Sequence, residues 1–265
     1  MKGLLFAGDS FTWGQGLYFY SELPNIKQPP HNGFNRYDVT EAHIKYKDSK
    51  RFARIVANHY GTFELVKEEN GGSDIETIDF IDSVFVEKGY SYEDFDFLFF
   101  QTTHFIRSIF DFELNGQPKK TFITDHHLLT QSNYQDFDAW IRIKKYNIDE
   151  YVKIHIEQVF NKIKNKLKEI ESKGIVCRIM SWDDDYIDLI LNDDYMKERF
   201  FKITYNDVEY INIKELTTKN NHLLISGDVQ NLGGNPPRDG HLSLEGHKVV
   251  AKSIIKEIEK YKNTL

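Results

Sequence analysis

Short apolar runs alternate along this chain with longer stretches in which apolar residues recur every three or four positions. Runs this short cannot cross a membrane, and they are typical of parallel strands buried between layers of helices. Five segments fit this description: Lys2–Ala7, Thr62–Lys67, Phe95–Gln101, Ile175–Ser181 and Glu209–Ile213. Four segments have helical periodicity: Ser49–His59, Asp74–Glu87, Ile148–Ser172 and Leu244–Tyr261. The alternation predicts β-α-β crossovers, and therefore an α/β protein: a three-layer α/β/α sandwich around a mostly parallel, five-stranded sheet.

Two stretches interrupt this alternation. Tyr18–Asp48 is polar and contains prolines, so we expect it to loop over the surface. Thr102–Asn147 has weak periodicity and follows a predicted strand, which is typical of an excursion that covers or shapes a site. A chain of 265 residues is long enough for one large domain. We therefore predict a single domain over residues 1–265, with an insertion at about residues 102–147 near the carboxyl edge of the sheet.

Composition narrows the classes of protein. Hydrophobic residues make up 40% of the chain and charged residues 28%, which indicates a folded globular protein. The net charge of −7 argues against a nucleic-acid binder, because affinity for phosphate backbones needs clustered cations. The single cysteine, Cys177, lies in an apolar run and is predicted to be a buried strand residue. No secretory signal, transmembrane segment or lipidation motif is recognisable, so we expect no membrane partner and a cytoplasmic location, although phage and virion proteins share this absence.

The first predicted strand ends in the sequence Gly-Asp-Ser, which brings Ser10 to the carboxyl edge of the sheet. Open α/β folds place their chemistry at this edge. A helix that begins near Ser10 also offers free N–H groups and a positive dipole end to an oxyanion. Ser10 alone has a simpler interpretation, since serine and aspartate are also preferred helix N-caps.

A histidine with a nearby carboxylate lies at the other end of the chain. Asp239 and His241 are two residues apart in a loop rich in proline and glycine, directly before the last predicted helix. The carboxylate can orient the imidazole through Nδ1 and leave Nε2 to take a proton from a hydroxyl. By itself this tripeptide is also typical of a turn that leads into an N-cap. His247, on the last helix, is expected to pack rather than to react.

Taken together, the two ends of the chain resemble the SGNH/GDSL hydrolase family: a strand followed by Gly-Asp-Ser, and Asp-Gly-His-x-x-x-x-Gly-His before the final helix. The resemblance covers both ends and the order of the strands, and implies a flavodoxin-like arrangement. It implies that Ser10 is the nucleophile and an oxyanion donor through its N–H, that His241 is the base, and that Asp239 is the orienting acid. The family usually places this acid three residues before the histidine, so Asp228 stays open as the alternative.

The resemblance also implies two further oxyanion donors. A glycine N–H after the second strand corresponds to Gly71 or Gly72, and the sequence leaves both open. The family's third motif, Gly-x-Asn-Asp, is replaced by Gln-Thr-Thr-His. Thr103 falls on the asparagine position and is expected to donate from its hydroxyl, with the amide of Gln101 as the alternative. Three residues of this region are candidates for lining the pocket: Gln101, His104 and Arg107.

These implications lead to an expected function. The family resemblance predicts a serine hydrolase that cleaves a short-chain carboxylic ester, for example an O-acetyl group on a carbohydrate, with no cofactor and no metal ion. The expected partner is a small-molecule or carbohydrate ester. Two alternatives stay open: a binding module of the same fold with weakened catalysis, which the altered third motif favours, and an O-acyltransferase with the same triad. The sequence does not determine the oligomeric state.

Overall fold

Four of the predicted strands pair in one parallel sheet in the computed structural model, which describes residues 1–21, 40–68, 73–103, 109–122, 144, 148–231 and 240–263. The strands are β1 (Gly3–Ala7), β2 (Glu64–Val66), β3 (Phe95–Thr102), β4 (Ile109–Leu114), β5 (Gln117–Phe122), β6 (Val176–Ser181), β7 (Ile203–Tyr205) and β8 (Val208–Tyr210). The parallel sheet has the order β2-β1-β3-β6. The prediction of an α/β protein with a parallel sheet is therefore confirmed.

Helices surround this sheet. They are α1 (Ser10–Trp13), α2 (Glu41–Lys50), α3 (Phe52–Tyr60), α4 (Asp74–Val86), α5 (Ile148–Glu171), α6 (Ile187–Asn192), α7 (Asp194–Arg199), α8 (Ile213–Lys219), α9 (Ile225–Asn231) and α10 (Leu244–Lys262). The long helices α4, α5 and α10 end within one residue of their predicted ends. Among the described residues, no helix combines the length and the apolar character needed to cross a bilayer.

The apolar core lies on both faces of the sheet. In β1, Leu4 and Phe6 pack into one cluster together with residues of α3 and α10. Leu5 and Ala7 point to the opposite face and pack with residues of α4 and α5. Cys177 is buried in that second cluster, as predicted for a strand residue. This two-sided burial explains why the strand reads as an unbroken apolar run, and it is compatible with a three-layer α/β/α fold.

The fifth predicted strand, Glu209–Ile213, does not join the parallel sheet. Its first residues belong to β8, which pairs antiparallel with β7, and Ile213 already begins α8. The two residues that connect β7 and β8, Asn206 and Asp207, have φ values of 48° and 60°. A two-residue turn with left-handed backbone at both positions reverses the chain into a hairpin, so a parallel crossover is impossible there.

The region before β2 also differs from its prediction. Tyr18–Asp48 is predicted as a loop, but residues 17–21 form a 3-10 turn and Glu41–Lys50 forms α2, while residues 22–39 lie outside the described part of the chain. The predicted helix Ser49–His59 is broken at Arg51, whose backbone is extended. The Arg51 guanidinium contacts carboxylates on both sides of this break, including the fully buried Glu64 of β2, and holds the corner against the sheet.

The predicted insertion at residues 102–147 contains the antiparallel hairpin of β4 and β5. Asn115 and Gly116 form its two-residue turn, with φ values of 54° and 75°. An Asn-Gly pair between strand-like segments is a strong hairpin signal that the weak periodicity of this region concealed. Residues 104–108, 123–143 and 145–147 lie outside the described chain.

A capping box fixes the start of α4, directly after the loop with the predicted oxyanion glycines. Ser73 Oγ accepts a hydrogen bond from Glu76 N at 3.2 Å, and Glu76 Oε2 accepts one from Ser73 N at 2.6 Å. We expect Ser73→Ala to lower the free energy of unfolding by about 1 kcal/mol in urea denaturation, because the Glu76 N–H loses its acceptor. Ser83→Ala is the control, since the Ser83 hydroxyl donates to the Phe80 carbonyl within the same helix and caps neither end. Equal stability of the two variants would contradict a role for the cap.

Candidate active site

Ser10 lies at the carboxyl edge of β1, as the first residue of the single helical turn α1, and it is fully buried. The N-cap of this turn is Asp9, whose Oδ1 accepts a hydrogen bond from Phe11 N at 3.0 Å. The interpretation of Ser10 as a helix cap is therefore wrong. No hydrogen-bond acceptor for the Ser10 N–H lies among the described residues.

His241 meets Ser10 across the length of the chain. Its Nε2 lies 2.9 Å from Ser10 Oγ, although the two residues are 231 positions apart. Backbone contacts hold the segment, because His241 O accepts from Ile225 N at 2.9 Å and Ser243 caps α10 two residues later. A serine hydroxyl within hydrogen-bond distance of an imidazole is the arrangement that makes serine a nucleophile.

One aromatic ring packs beside the imidazole, and a second ring stacks on the first. The ring of Phe11 lies 4.9 Å from that of His241, centroid to centroid. The ring of Phe11 also stacks on that of Trp182, with 3.6 Å between the ring centroids. Trp182 directly follows β6 and is only partly buried, so an aromatic surface borders the Ser10–His241 pair. Trp182 is not among the residues predicted for the site, and the sequence signal for it is its position directly after a buried strand.

Of the two candidates for the orienting acid, the structure describes Asp228 but not Asp239. Asp239 lies outside the described residues, and its role stays a prediction. Asp228 lies in α9, where its Oδ2 accepts a hydrogen bond from Tyr20 Oη at 2.7 Å. Burial, reinforced by Asp228, raises the pKa of Tyr20 above its usual value, so the hydroxyl keeps its proton. The described partner of Asp228 is thus a tyrosine rather than His241.

The residues of the altered third motif face Asp9. Gln101 Nε2 donates to Asp9 Oδ1 at 2.7 Å, and Gln101 Oε1 accepts from Thr12 Oγ1 at 2.7 Å. Thr103 Oγ1 donates to Asp9 Oδ2 at 3.0 Å, and Thr103 N donates to Asp74 Oδ1 at 3.0 Å. The one proton of the Thr103 hydroxyl is directed to the Asp9 carboxylate, and so is one of the two N–H groups of the Gln101 amide. The expected role of Thr103, or alternatively Gln101, as an oxyanion donor stays a prediction.

The other predicted residues of this site cannot be placed. They lie outside the described part of the chain: Gly71, Gly72, His104 and Arg107. The expected roles of these four residues therefore stay predictions.

A group of buried carboxyls includes Asp9, the residue before Ser10. Asp9, Asp74 and Asp183 are each almost fully buried, and each follows a different strand of the sheet. Burial raises the pKa of Asp74 to about 8. The Thr103 N–H and the neighbouring Tyr186 hydroxyl oppose this shift, while the charges of Asp9 and Asp183 add to it. Asp74 therefore holds its proton near neutral pH.

His247 packs, as predicted. Its Nδ1 accepts a hydrogen bond from Phe52 N at 3.1 Å, and its ring stacks on Phe52. Burial lowers the pKa of His247 to about 3, so the imidazole is neutral and its proton sits on Nε2. The contact holds the first turn of α10 against the start of α3.

Comparison with protein-family models, with curated proteins and with solved structures finds no significant match to this chain. The class of the protein is therefore described from its fold and from the contacts of its candidate site. It is an α/β protein with a parallel four-stranded sheet among helices, and a serine and a histidine are in contact at the carboxyl edge of that sheet.

Proposed function

We propose that this protein is a serine hydrolase of the SGNH/GDSL type that cleaves a short-chain carboxylic ester. One observation supports the proposal above all others: Ser10 Oγ and His241 Nε2 lie 2.9 Å apart at the carboxyl edge of the parallel sheet. Residues from opposite ends of a chain meet at this edge in the kind of fold that concentrates its chemistry there.

In the proposed reaction, His241 Nε2 takes the proton of Ser10 as Oγ attacks the ester carbonyl carbon. The tetrahedral intermediate collapses when the alcohol leaves with that proton, and the acyl group stays on Ser10. Water then gives its proton to His241, attacks the acyl carbon and releases the carboxylic acid, and the Ser10 hydroxyl is restored. Asp239 would hold the imidazole through Nδ1, and the N–H groups of Ser10 and of Gly71 or Gly72 would bind the oxyanion.

The substrate class follows from the family resemblance and from one feature of the site. The family acts on short acyl esters, among them O-acetyl groups on sugars. Trp182, partly exposed and stacked on Phe11 beside His241, offers the amphipathic aromatic surface that suits a sugar ring next to the scissile ester. The reaction needs no cofactor, because serine, histidine and carboxylate supply every proton transfer.

A fluorophosphonate probe tests the proposal directly. We expect it to form a covalent adduct on Ser10, located by mass spectrometry of the digested protein, because the probe reacts with activated serines. Ser10→Ala abolishes the adduct, whereas Ser172→Ala, in the turn between α5 and β6, leaves it unchanged. A folded wild-type protein that forms no adduct and turns over no aryl acetate would exclude a hydrolase.

A binding module with weakened catalysis is the second candidate. The observation that favours it is that the Thr103 hydroxyl and one N–H of the Gln101 amide are directed to Asp9 rather than to a substrate. Loss of one oxyanion donor costs about 10²- to 10³-fold in rate. In this case the probe still labels Ser10, but slowly, and an acetylated oligosaccharide stays bound without being deacetylated over hours.

A further inference from the structure

The side-chain amide of Gln101 bonds to both sides of the proposed nucleophile, and we infer that Gln101 is the positioning residue for Ser10. This inference rests on the proposed function. Gln101 Nε2 donates to Asp9, the residue before Ser10, and Gln101 Oε1 accepts from Thr12, two residues after it. Both bonds are 2.7 Å long. The amide thereby joins the two ends of the turn that carries Ser10.

This turn needs an external support. The helix α1 has four residues, and an isolated helix of that length is unstable in water. Within the turn, Ser10 O accepts hydrogen bonds from Gly14 N and Gln15 N, and Asp9 Oδ1 accepts one from Phe11 N. Asp9, Thr12 and Gln101 are all essentially inaccessible to solvent, so bulk water does not replace a lost partner.

Chemistry fixes the orientation of the amide. The Asp9 carboxylate only accepts hydrogen bonds, so the Gln101 NH₂ must face it, and Oε1 must face the Thr12 hydroxyl. Asp9 is held on both oxygens, because Thr103 Oγ1 bonds Oδ2 while Gln101 and Phe11 N bond Oδ1. Gln101 stands on β3, which pairs directly with β1, so a rigid sheet transmits its position to the turn.

Gly8 leaves the space that this contact occupies. A Cβ atom on Gly8 would lie 2.3 Å from Thr12 Oγ1 and 2.9 Å from Gln101 Cβ. Both distances are shorter than real contacts of a Cβ atom, so a side chain at this position would push Thr12 and Gln101 apart. The glycine before Asp9 is thus explained by the bond between Thr12 and Gln101.

The decisive comparison is between Gln101→Met and Thr102→Val. Methionine fills a similar volume but forms neither amide bond. Thr102 is the adjacent buried residue of β3, and its Oγ1 bonds Ser181 rather than the nucleophile turn. We expect kcat for an aryl acetate and the rate of fluorophosphonate labelling to be about 10- to 100-fold lower in Gln101→Met than in Thr102→Val. The KM values of the two variants should agree within about twofold, because the substitution misplaces the reacting oxygen of Ser10 and leaves substrate binding unchanged.

A double-mutant cycle isolates the bond to Thr12. Thr12→Val removes that bond alone and is expected to lower the labelling rate by less than Gln101→Met does. The double variant should label no more slowly than Gln101→Met, since the second substitution removes a bond already lost. If Gln101→Met fails to fold, the labelling rate of Thr12→Val is compared with that of Thr102→Val instead, and the rate of Thr12→Val should be the lower.

Hydrogen exchange separates failure of this inference from failure of the proposed function. In Gln101→Met we expect faster amide exchange in the peptide covering residues 8–16, and no change in Thr102→Val. This readout needs no activity, so it decides the positioning role even if wild-type protein fails to label. Exchange and labelling in Gln101→Met that match Thr102→Val would overturn the positioning role and leave the hydrolase proposal intact.

Discussion

His241→Gln is expected to lower kcat for aryl acetate hydrolysis by about 10⁴- to 10⁶-fold, with the fold retained. Glutamine can still reach Ser10 Oγ with an amide, but it has no basic nitrogen to take the hydroxyl proton. The measurement is steady-state hydrolysis together with circular dichroism. The double variant of Ser10→Ala and His241→Gln should be no worse than either single variant, because a nucleophile and its base act as one unit.

His222→Gln is the matched control for this prediction. His222 is partly buried and contacts Tyr205 Oη through Nε2 at 3.1 Å, but it makes no contact with Ser10. We expect its kcat to stay within a few-fold of wild type. A His241→Gln protein that keeps more than a tenth of wild-type activity would refute the role of His241 as base.

The same assay distinguishes the two candidate acids. We expect Asp239→Asn to lower kcat by about 10³- to 10⁴-fold, as loss of a triad carboxylate does, because the imidazole loses its fixed tautomer. Asp228→Asn should have a small effect, since the partner of Asp228 is Tyr20. The reverse pattern would assign the acid to Asp228 and contradict the role proposed for Asp239.

Asp74→Asn is expected to flatten the dependence of stability on pH. Burial raises the pKa of Asp74 from 3.8 to about 8. The folded protein therefore holds a proton that the unfolded chain releases, so this contribution to stability is complete below pH 3.8 and is lost as pH rises through about 8. Over that range the loss amounts to several kcal/mol, since each tenfold difference in proton affinity corresponds to about 1.4 kcal/mol.

Asparagine cannot ionise, and its Oδ1 still accepts the bond from Thr103 N. Relative to wild type, the variant should therefore gain stability as pH rises from 5 to 9, measured by urea denaturation at each pH. The groups that face Asp74 are Asp9, Asp183 and Tyr186, and all three are present in both proteins. Asp79→Asn, on the exposed side of the same helix, should run parallel to wild type. A constant difference between Asp74→Asn and wild type at every pH would mean that Asp74 is charged in the folded protein.

The strands of the sheet were predictable because burial on both faces leaves a clear pattern. A strand such as β1, with every residue buried, reads as an unbroken apolar run. The fifth strand was predicted wrongly because its apolar residues fit a hairpin strand as well as a strand of the parallel sheet. The turn at Asn206 and Asp207 produces the hairpin. Local turn chemistry thus overrode the expectation of a parallel crossover.

The positions of Ser10 and His241 were predictable from the sequence, whereas the hydrogen bonds around them were not. The apolar run before Gly-Asp-Ser predicted a hydroxyl at the carboxyl edge of the sheet, whereas its pairing with His241 was predicted from the resemblance of the two chain ends to a known family. The partners of Gln101 and Thr103 were harder to predict, because they depend on which face of β3 each side chain takes. Residues two apart in a strand share a face, and this spacing was the available signal that both would contact Asp9.

The helix that completes the cover over one face of the sheet, α10, lies far from β1 in the sequence. Leu4 and Phe6 of β1 share a core cluster with Val249 and Ile254 of α10. Helix α3 covers part of this face of β1, and α10, far away in the sequence, completes the cover. Contacts between such distant segments slow folding. A chain that ends before residue 241 would contain Ser10 without His241, and under the proposed function it would be inactive.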